Sequence, residues 1–316
     1  LINVTKNWML FEMNYFQKQS LINTLNKFNY LIFLIKYYMD HNNLFLDNLM
    51  KIDIVKNEQY NSSIPKIVFL IPYRDRNNQK KWFIKNIERL ANIIPFFEVY
   101  FIHQNDNRIF NRGAMKNMGF LHIKNKYPHN YKSITLIFHD VDTFPKSSLL
   151  LKYSTHEKIV KHFYGFQHTL GGIVSIKGKD FETINGFPNY WGWGFEDNVF
   201  QDRCLKYNMK IDRKQFYKIN DKNIHHFQDE RFKLFNAKNM ERVQTDKSLH
   251  GIKTLSNYKL KEEHLISDYI FMVHVSGFDC EYDPTKENFQ THDLAKGNVI
   301  MNNYKNPIMK MNMKIK

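Results

Sequence analysis

The sequence predicts an α/β protein with a mostly parallel central sheet flanked by helices. Continuous apolar segments, typical of buried parallel strands, alternate with segments whose apolar residues recur at helical spacing. Polar clusters follow these strands, at 74–76, 104–106 and 140–142. Because ligands bind at the carboxyl ends of strands in such sheets, we expect the three clusters to form one site.

The first half of this domain is predicted to contain three strands, at residues 67–71, 99–102 and 134–138. The first is a run rich in β-branched residues that we expect Pro72 to end. Apolar residues at helical spacing predict the intervening helices at 80–94 and 112–121. The third strand leads directly into His139-Asp140-Val141-Asp142.

The second half is predicted to contain a strand at 172–176, a short helix at 180–184 and an aromatic turn at 189–194. A helix over 196–207 follows, with Val199, Phe200, Cys204 and Leu205 on its apolar face. The chain thus divides into a helical N-terminal extension (1–63), a catalytic domain (64–285) and a basic C-terminal tail (286–316), which we expect to be loosely ordered after residue 291.

Charge, hydropathy and cysteine spacing argue against a nucleic-acid-binding protein, a membrane-spanning chain and a cysteine-based metal site. Lys and Arg number 46 against 31 Asp and Glu, a net charge of +15. The basic residues are scattered rather than clustered with aromatic residues, which argues against a nucleic-acid partner. No membrane span is predicted, since the most apolar segment, 30–39, is short and contains Lys36. Cys204 and Cys280 have no metal-binding spacing, and we expect small core residues rather than a disulfide.

Asp140 and Asp142 can share one hard cation, because two carboxylates at i and i+2 on a turn offer oxygen ligands to Mg²⁺ or Mn²⁺. Such a cation would neutralise a leaving nucleoside diphosphate. A solvated turn is the alternative. His225 and His226 offer imidazole ligands to the same cation, but a pair of surface histidines explains them equally well.

The stretch from Trp191 to Asp197 (WGWGFED) is the least ordinary in the sequence. Glycines between the tryptophans would expose indole faces, on which sugar rings pack well. A carboxylate three to four residues later could act as general base on a sugar hydroxyl. The alternative, a core aromatic turn followed by a helix with acidic N-terminal residues, explains fewer of these features.

Four blocks of sequence together resemble the β-1,4-galactosyltransferases, glycosyltransferase family 7, in order and spacing. The most specific is the tryptophan block, which reaches back through Ile184-Asn185-Gly186-Phe187-Pro188 to the pair Gly171-Gly172. The others are IPYRDR at 71–76, IFNR and NMGF within 109–120, and HDVD at 139–142 with Pro145. A weaker match lies at 251–258.

The resemblance implies a GT-A fold, a UDP-sugar donor and Mn²⁺ as cofactor. It implies a uridine and phosphate pocket lined by Pro72, Tyr73, Arg74, Arg76, Phe110 and Arg112, with Asp140 and Val141 facing the nucleotide. Asp142 and His226 would bind Mn²⁺. The second protein ligand is open between Asn223, His225 and water.

On the acceptor side the resemblance implies that Asp197 is the catalytic base, with Glu196 beside it and Trp193 on a mobile loop between donor and acceptor. The expected substrate contacts are Thr169, Gly172, Trp191 and Asn198. Thr169 stands where the family commonly has a tyrosine that shapes donor choice, and Asn198 replaces an acid that touches the acceptor. A small residue at 169 leaves room for an N-acetyl group.

The implied activity is inverting transfer of a hexose or N-acetylhexosamine from a UDP-sugar, with UDP-galactose or UDP-GalNAc favoured, to a hydroxyl of a glycan or glycoconjugate. The segment from His226 to about Lys247 would close over the donor. A catalytically inactive nucleotide-sugar- or glycan-binding protein on the same fold is the alternative. The family would place the protein in the Golgi or secretory lumen, although no signal or anchor is visible in this chain.

Overall fold

The computed structural model describes residues 64–94, 96–146, 149–227, 232–265 and 268–293. The predicted helical extension, 1–63, and the tail beyond residue 293 lie outside these residues. The helices are α1 (Asn77–Ile87), α2 (Arg112–Lys126), α3 (Gly178–Thr183), α4 (Glu196–Lys206) and α5 (Lys238–Thr245). Short 3-10 helices span Glu88–Asn92, Ile252–Thr254 and Pro284–Lys286.

The strands are β1 (Ile67–Tyr73), β2 (Phe97–Gln104), β3 (Thr135–His139), β4 (Thr143–Pro145), β5 (Ile159–Gly165), β6 (Ile173–Lys177), β7 (Lys210–Asp212), β8 (Tyr217–Lys218), β9 (Ile224–His226), β10 (Phe232–Asn236), β11 (Leu260–His264), β12 (Ile270–Val275) and β13 (Phe289–Asp293). Within the described residues, nine of them form one sheet in the order β11-β12-β2-β1-β3-β6-β5-β7, with β8 beside β5. The β12-β2-β1-β3 centre is parallel, whereas β6 pairs antiparallel with both β3 and β5. The predicted α/β class with a mostly parallel sheet is confirmed.

The two faces of β1 explain why its sequence is apolar throughout. Val68 and Leu70 pack in one cluster with residues of α2, including Met115 and Met118. Phe69 and Ile71 pack in the other cluster with Phe83 and Ile87 of α1. Because side chains alternate between the faces of a strand, a strand covered on both sides must be apolar at every position. Helices on both faces thus hold β1 in the sheet. Residues 74–76, which follow its carboxyl end, therefore lie at the edge of the sheet.

Several predicted boundaries are wrong. Pro72 does not end β1, which continues to Tyr73. The ladder to β3 stops at Leu70, so the missing N–H of Pro72 breaks no bond on that side.

The predicted burial of Leu205 is also wrong. Leu205 is 51% exposed and does not belong to the apolar face of α4. Both cysteines are free. Cys204 is buried as expected, whereas Cys280 is only partly buried and packs against the core from its margin.

Beyond residue 285, where the catalytic domain was predicted to end, the described residues 286–293 include one further strand. Strand β13 pairs antiparallel with β10 to form a separate two-stranded sheet. Another two-stranded sheet joins β4 to β9. In the part of the chain that the structure describes, no helix is both long and apolar enough to cross a bilayer.

Candidate active site

A cavity of about 610 Å³ lies at the carboxyl ends of β1 and β3 and is lined by two of the three predicted polar clusters, 74–76 and 140–142. The third cluster, 104–106, is not part of the lining, and Asp106 instead bonds to Gln104 and Arg108. The cavity also receives the first turns of α2 and α4. Its lining includes these predicted site residues: Pro72, Arg74, Arg76, Phe110, Arg112, Asp140, Val141, Asp142, Thr169, Gly172, Trp193, Glu196, Asp197, Asn198 and His226. Residues far apart in the sequence therefore share one cavity.

Three predicted site residues lie outside the cavity lining. Tyr73 is buried, and its hydroxyl donates a hydrogen bond to Asn77 at 2.8 Å. Trp191 is fully buried and stacks on Phe278 with 5.3 Å between ring centroids, so its ring is not exposed as a sugar platform. Asn223 is held by hydrogen bonds to the Asp221 side chain. The structure therefore does not bring these three side chains to the cavity.

The acidic residues of the tryptophan block lie in the first turn of α4, where the helix dipole favours negative charge. The loop before them has positive φ at Gly192 (+85°) and Gly194 (+104°), conformations that glycine adopts without strain. Phe195, the N-cap residue, also has a positive φ of 73°. Gly171 provides space for the Asp197 carboxylate, because a Cβ there would lie 2.4 Å from Asp197 Oδ2.

The carboxylate of Asp197 is held by two cations from α2. Arg112 Nη1 lies 2.8 Å from Oδ2, and Lys116 Nζ lies 2.8 Å from Oδ1. Arg112 also donates to Glu196 Oε1 at 2.5 Å and to Asp140. Burial alone would raise the pKa of Asp197, but the charges of Arg112 and Lys116 outweigh it and lower this pKa to about 2. Asp197 is therefore ionised at neutral pH.

Sequence reasoning missed Lys116. Its side chain is 2% exposed, and its ammonium lies 4.1 Å from the centroid of the Phe187 ring. The available signal was its position four residues after Arg112, which places both cations on one face of the helix.

At the other end of the cavity, His226 Nε2 lies 3.8 Å from Asp142 Oδ2. Strand β9 brings the histidine there, since it pairs Thr143 with His226 across the β4 ladder. Burial would raise the pKa of Asp142, but His226, Arg76 and Lys233 lower it. Asp142 in turn raises the pKa of His226.

Asp142 and His226 suit a cation of the Mn²⁺ type, because they offer one carboxylate oxygen and one imidazole nitrogen. No group of three or more His, Cys, Asp or Glu side chains arranged to hold a metal occurs among the described residues. The donor set therefore fits a cation that takes its other ligands from phosphate oxygens and water. His225 faces the opposite way, with its ring 6.5 Å from that of Trp82.

Trp193 is tied to the segment predicted to close over the donor. Its backbone N–H donates to Leu234 O of β10 at 2.7 Å. Its ring stacks on His292 of β13, with centroids 6.0 Å apart and planes 6° from parallel. Elsewhere in the cavity lining, the Arg74 guanidinium lies 5.5 Å from the centroid of the Phe110 ring.

This sheet and the acidic turn at its edge define the class of the protein, which is a glycosyltransferase of the GT-A type. Two family models match adjoining parts of the chain. One, described as the N-terminal region of glycosyl transferase group 7, matches residues 57–153, and one described as the N-terminal domain of galactosyltransferase matches 154–228. Together they span more than half of the sequence, and the chain belongs to glycosyltransferase family 7.

Individual relatives agree with this assignment. The chain is 26% identical over 249 residues to β-1,4-galactosyltransferase 7 of Drosophila melanogaster, covering 72% of this chain and 73% of that protein. It is 29% identical over 158 residues to human β-1,4-galactosyltransferase 1, covering 47% of this chain but 39% of the human protein.

A solved structure shares the fold. It is a mutant of the Drosophila β-1,4-galactosyltransferase 7 in complex with manganese, UDP-Gal and xylobiose, and it matches with a TM-score of 0.55 at 22% identity. The match covers 71% of this chain and 97% of that one.

Proposed function

We propose that this protein is an inverting, Mn²⁺-dependent transferase that moves galactose or N-acetylgalactosamine from the UDP-sugar to a hydroxyl of a glycan or glycoconjugate. One observation carries the proposal. Asp197, an ionised carboxylate at a helix N-terminus, lines the same cavity as the Asp142–His226 pair and Arg74. The cavity thus contains a proton acceptor and a diphosphate-binding end.

In this mechanism Asp197 accepts the proton of an acceptor hydroxyl while the hydroxyl oxygen bonds to the anomeric carbon of the donor. The bond from that carbon to the diphosphate oxygen breaks, and its electron pair leaves with UDP. Attack on the face opposite UDP inverts the configuration. Asp142 and His226 would hold the cation, which when bound stabilises the negative charge of the departing UDP.

The relatives support this choice of substrates. The Drosophila structure contains manganese, UDP-Gal and xylobiose, and its fold is that of this chain. Thr169 lines the cavity and is small, which is the reason for including UDP-GalNAc as a donor.

A second candidate, a catalytically inactive nucleotide-sugar-binding protein, is favoured by one specific observation. Both carboxylate oxygens of Asp197 already accept hydrogen bonds from cations. A carboxylate that already accepts hydrogen bonds on both oxygens is a weak proton acceptor, unless the acceptor hydroxyl can donate a further hydrogen bond to it.

A panel of UDP-sugars separates the two candidates. With Mn²⁺ present, we expect slow release of UDP from UDP-galactose or UDP-GalNAc by hydrolysis. Release should be faster when xylobiose is added as acceptor. Chelation of the Mn²⁺ should abolish release. The anomeric configuration of the product, measured by NMR, tests inversion. Folded protein that binds UDP without turnover of any UDP-sugar would support the inactive binding protein instead.

A further inference from the structure

Lys116 places a charged ammonium group at a buried position. Packing at that position does not by itself require a charged side chain. It lies on α2 between Met115 and Met118, both fully buried, and its own side chain is 2% exposed. An uncharged side chain of similar length would fill the same space. Burial of a cation is unfavourable unless the cation is paired, so its charge must be explained by its partner.

That partner is Asp197. Lys116 Nζ and Arg112 Nη1 approach different oxygens of the carboxylate, each at 2.8 Å. Two donors on the two oxygens fix both the position and the rotation of the carboxylate plane. Arg112 is shared with Glu196 and Asp140, whereas within the described residues Lys116 forms an ion pair with Asp197 alone.

We propose that Lys116 is a positioning residue for the catalytic base, which holds the Asp197 carboxylate in the one orientation that an acceptor hydroxyl can use. The inference rests on the proposed function, because it takes Asp197 as the base. It assigns the ammonium a role in the orientation of the base and none in contact with either substrate.

The ammonium also acts on the charge of the base. The charged and titratable groups around Asp197 are Arg112 and Lys116 on α2, Glu196 on α4, Asp140 after β3 and His162 on β5. Arg112 and Lys116 together lower the pKa of Asp197 against the effect of burial. Removal of Lys116 therefore raises this pKa, and activity should begin to fall at a higher pH on the acid side.

The test compares Lys116→Met, Lys116→Arg and a control, Lys126→Met. Lys126 lies on the same helix but pairs with Glu262 at 3.1 Å, away from the cavity. For K116M we expect a loss in kcat on the order of tenfold to a hundredfold, since misplaced catalytic groups cost about that much. We also expect an unchanged KM for the UDP-sugar and a shift of the acid limb of the pH–rate profile to higher pH. K116R should restore the acid limb, and K126M should match the parent.

If K116M retains the parent's kcat and acid limb, Lys116 has only a structural role and the proposal is wrong. A ¹³C NMR titration of the Asp197 carboxyl carbon, assigned with Asp197→Asn, gives a readout that needs no turnover. We expect Asp197 to titrate at higher pH in K116M than in the parent, and an unchanged titration overturns the proposal. Absence of turnover by the parent enzyme would instead contradict the proposed function.

Discussion

The two ends of the cavity hold their acidic groups in different ways. At the base end, named for the role proposed for Asp197, Arg112 pairs with both Asp197 and Glu196, and Lys116 pairs with Asp197. All four side chains are less than 20% exposed. At the metal end, Asp142 faces His226 across 3.8 Å, and both side chains are 25–29% exposed. At the base end the carboxylates of α4 are neutralised at hydrogen-bonding distance by cations of a neighbouring helix, α2, whereas the metal end brings one carboxylate and one imidazole together more loosely.

This difference matches the two functions that we propose for the ends of the cavity. A buried, mutually bonded cluster is preorganised before any ligand binds, which suits a group that must meet a hydroxyl in one geometry. A more open pair of ligands leaves room for phosphate oxygens and water around a cation. We therefore expect substitutions at the base end to lower kcat, and substitutions at the metal end to change the concentration of Mn²⁺ that the enzyme requires.

The largest effect is expected from Asp197→Asn. Loss of the proton acceptor should lower kcat by about 10²- to 10⁴-fold, because that is the usual contribution of a general base. Affinity for UDP in the presence of Mn²⁺, measured by calorimetry, should stay at the parent value, since the nucleotide side of the cavity is untouched.

The matched control is Asp202→Asn, the same chemical change at an exposed position of the same helix. It should retain parental activity. Thermal unfolding of both variants checks that any loss at position 197 is not a loss of folded protein. Transfer by the Asp197→Asn variant at the parent rate would show that another group is the base.

A smaller effect is expected from His226→Ala at the metal end. The Mn²⁺ concentration for half-maximal UDP release should rise by about tenfold to a hundredfold, in line with the cost of disturbing a metal site. His225→Ala is the control, because the neighbouring side chain faces Trp82 outside the cavity. Equal Mn²⁺ requirements in the two variants would mean that His226 is not a ligand.

Local sequence patterns predicted the parts of the site that depend on nearby residues. The apolar runs gave the strands, and strand order placed Arg74 and Asp140–Asp142 at one edge because parallel strands end on the same side. The acidic residues after the tryptophan block were placed correctly at the start of a helix, at Glu196.

The rest depended on contacts that span long stretches of chain. Strand β9 has three residues, and its pairing with β4 brings His226 to Asp142. The family resemblance implied this pair of residues, whereas local periodicity left His226 indistinguishable from a surface histidine. The burial of Lys116 depends on a carboxylate 81 positions later. Trp191 was expected to expose an indole face because Gly192 separates it from Trp193, but packing against Phe278 buries it. Local periodicity contains none of this information.

The smallest effect is expected where the β10–β13 sheet contacts Trp193. His292 stacks on Trp193 with 6.0 Å between centroids, so His292→Ala should leave Trp193 less firmly placed. An aromatic pair is worth about 0.5–1.5 kcal/mol, which corresponds to roughly a twofold to tenfold rise in KM for the acceptor. Thr291→Ala is the control, since Thr291 is an exposed neighbour on β13. Steady-state kinetics with xylobiose measure the difference, and identical KM values would mean that β13 does not support Trp193 during transfer.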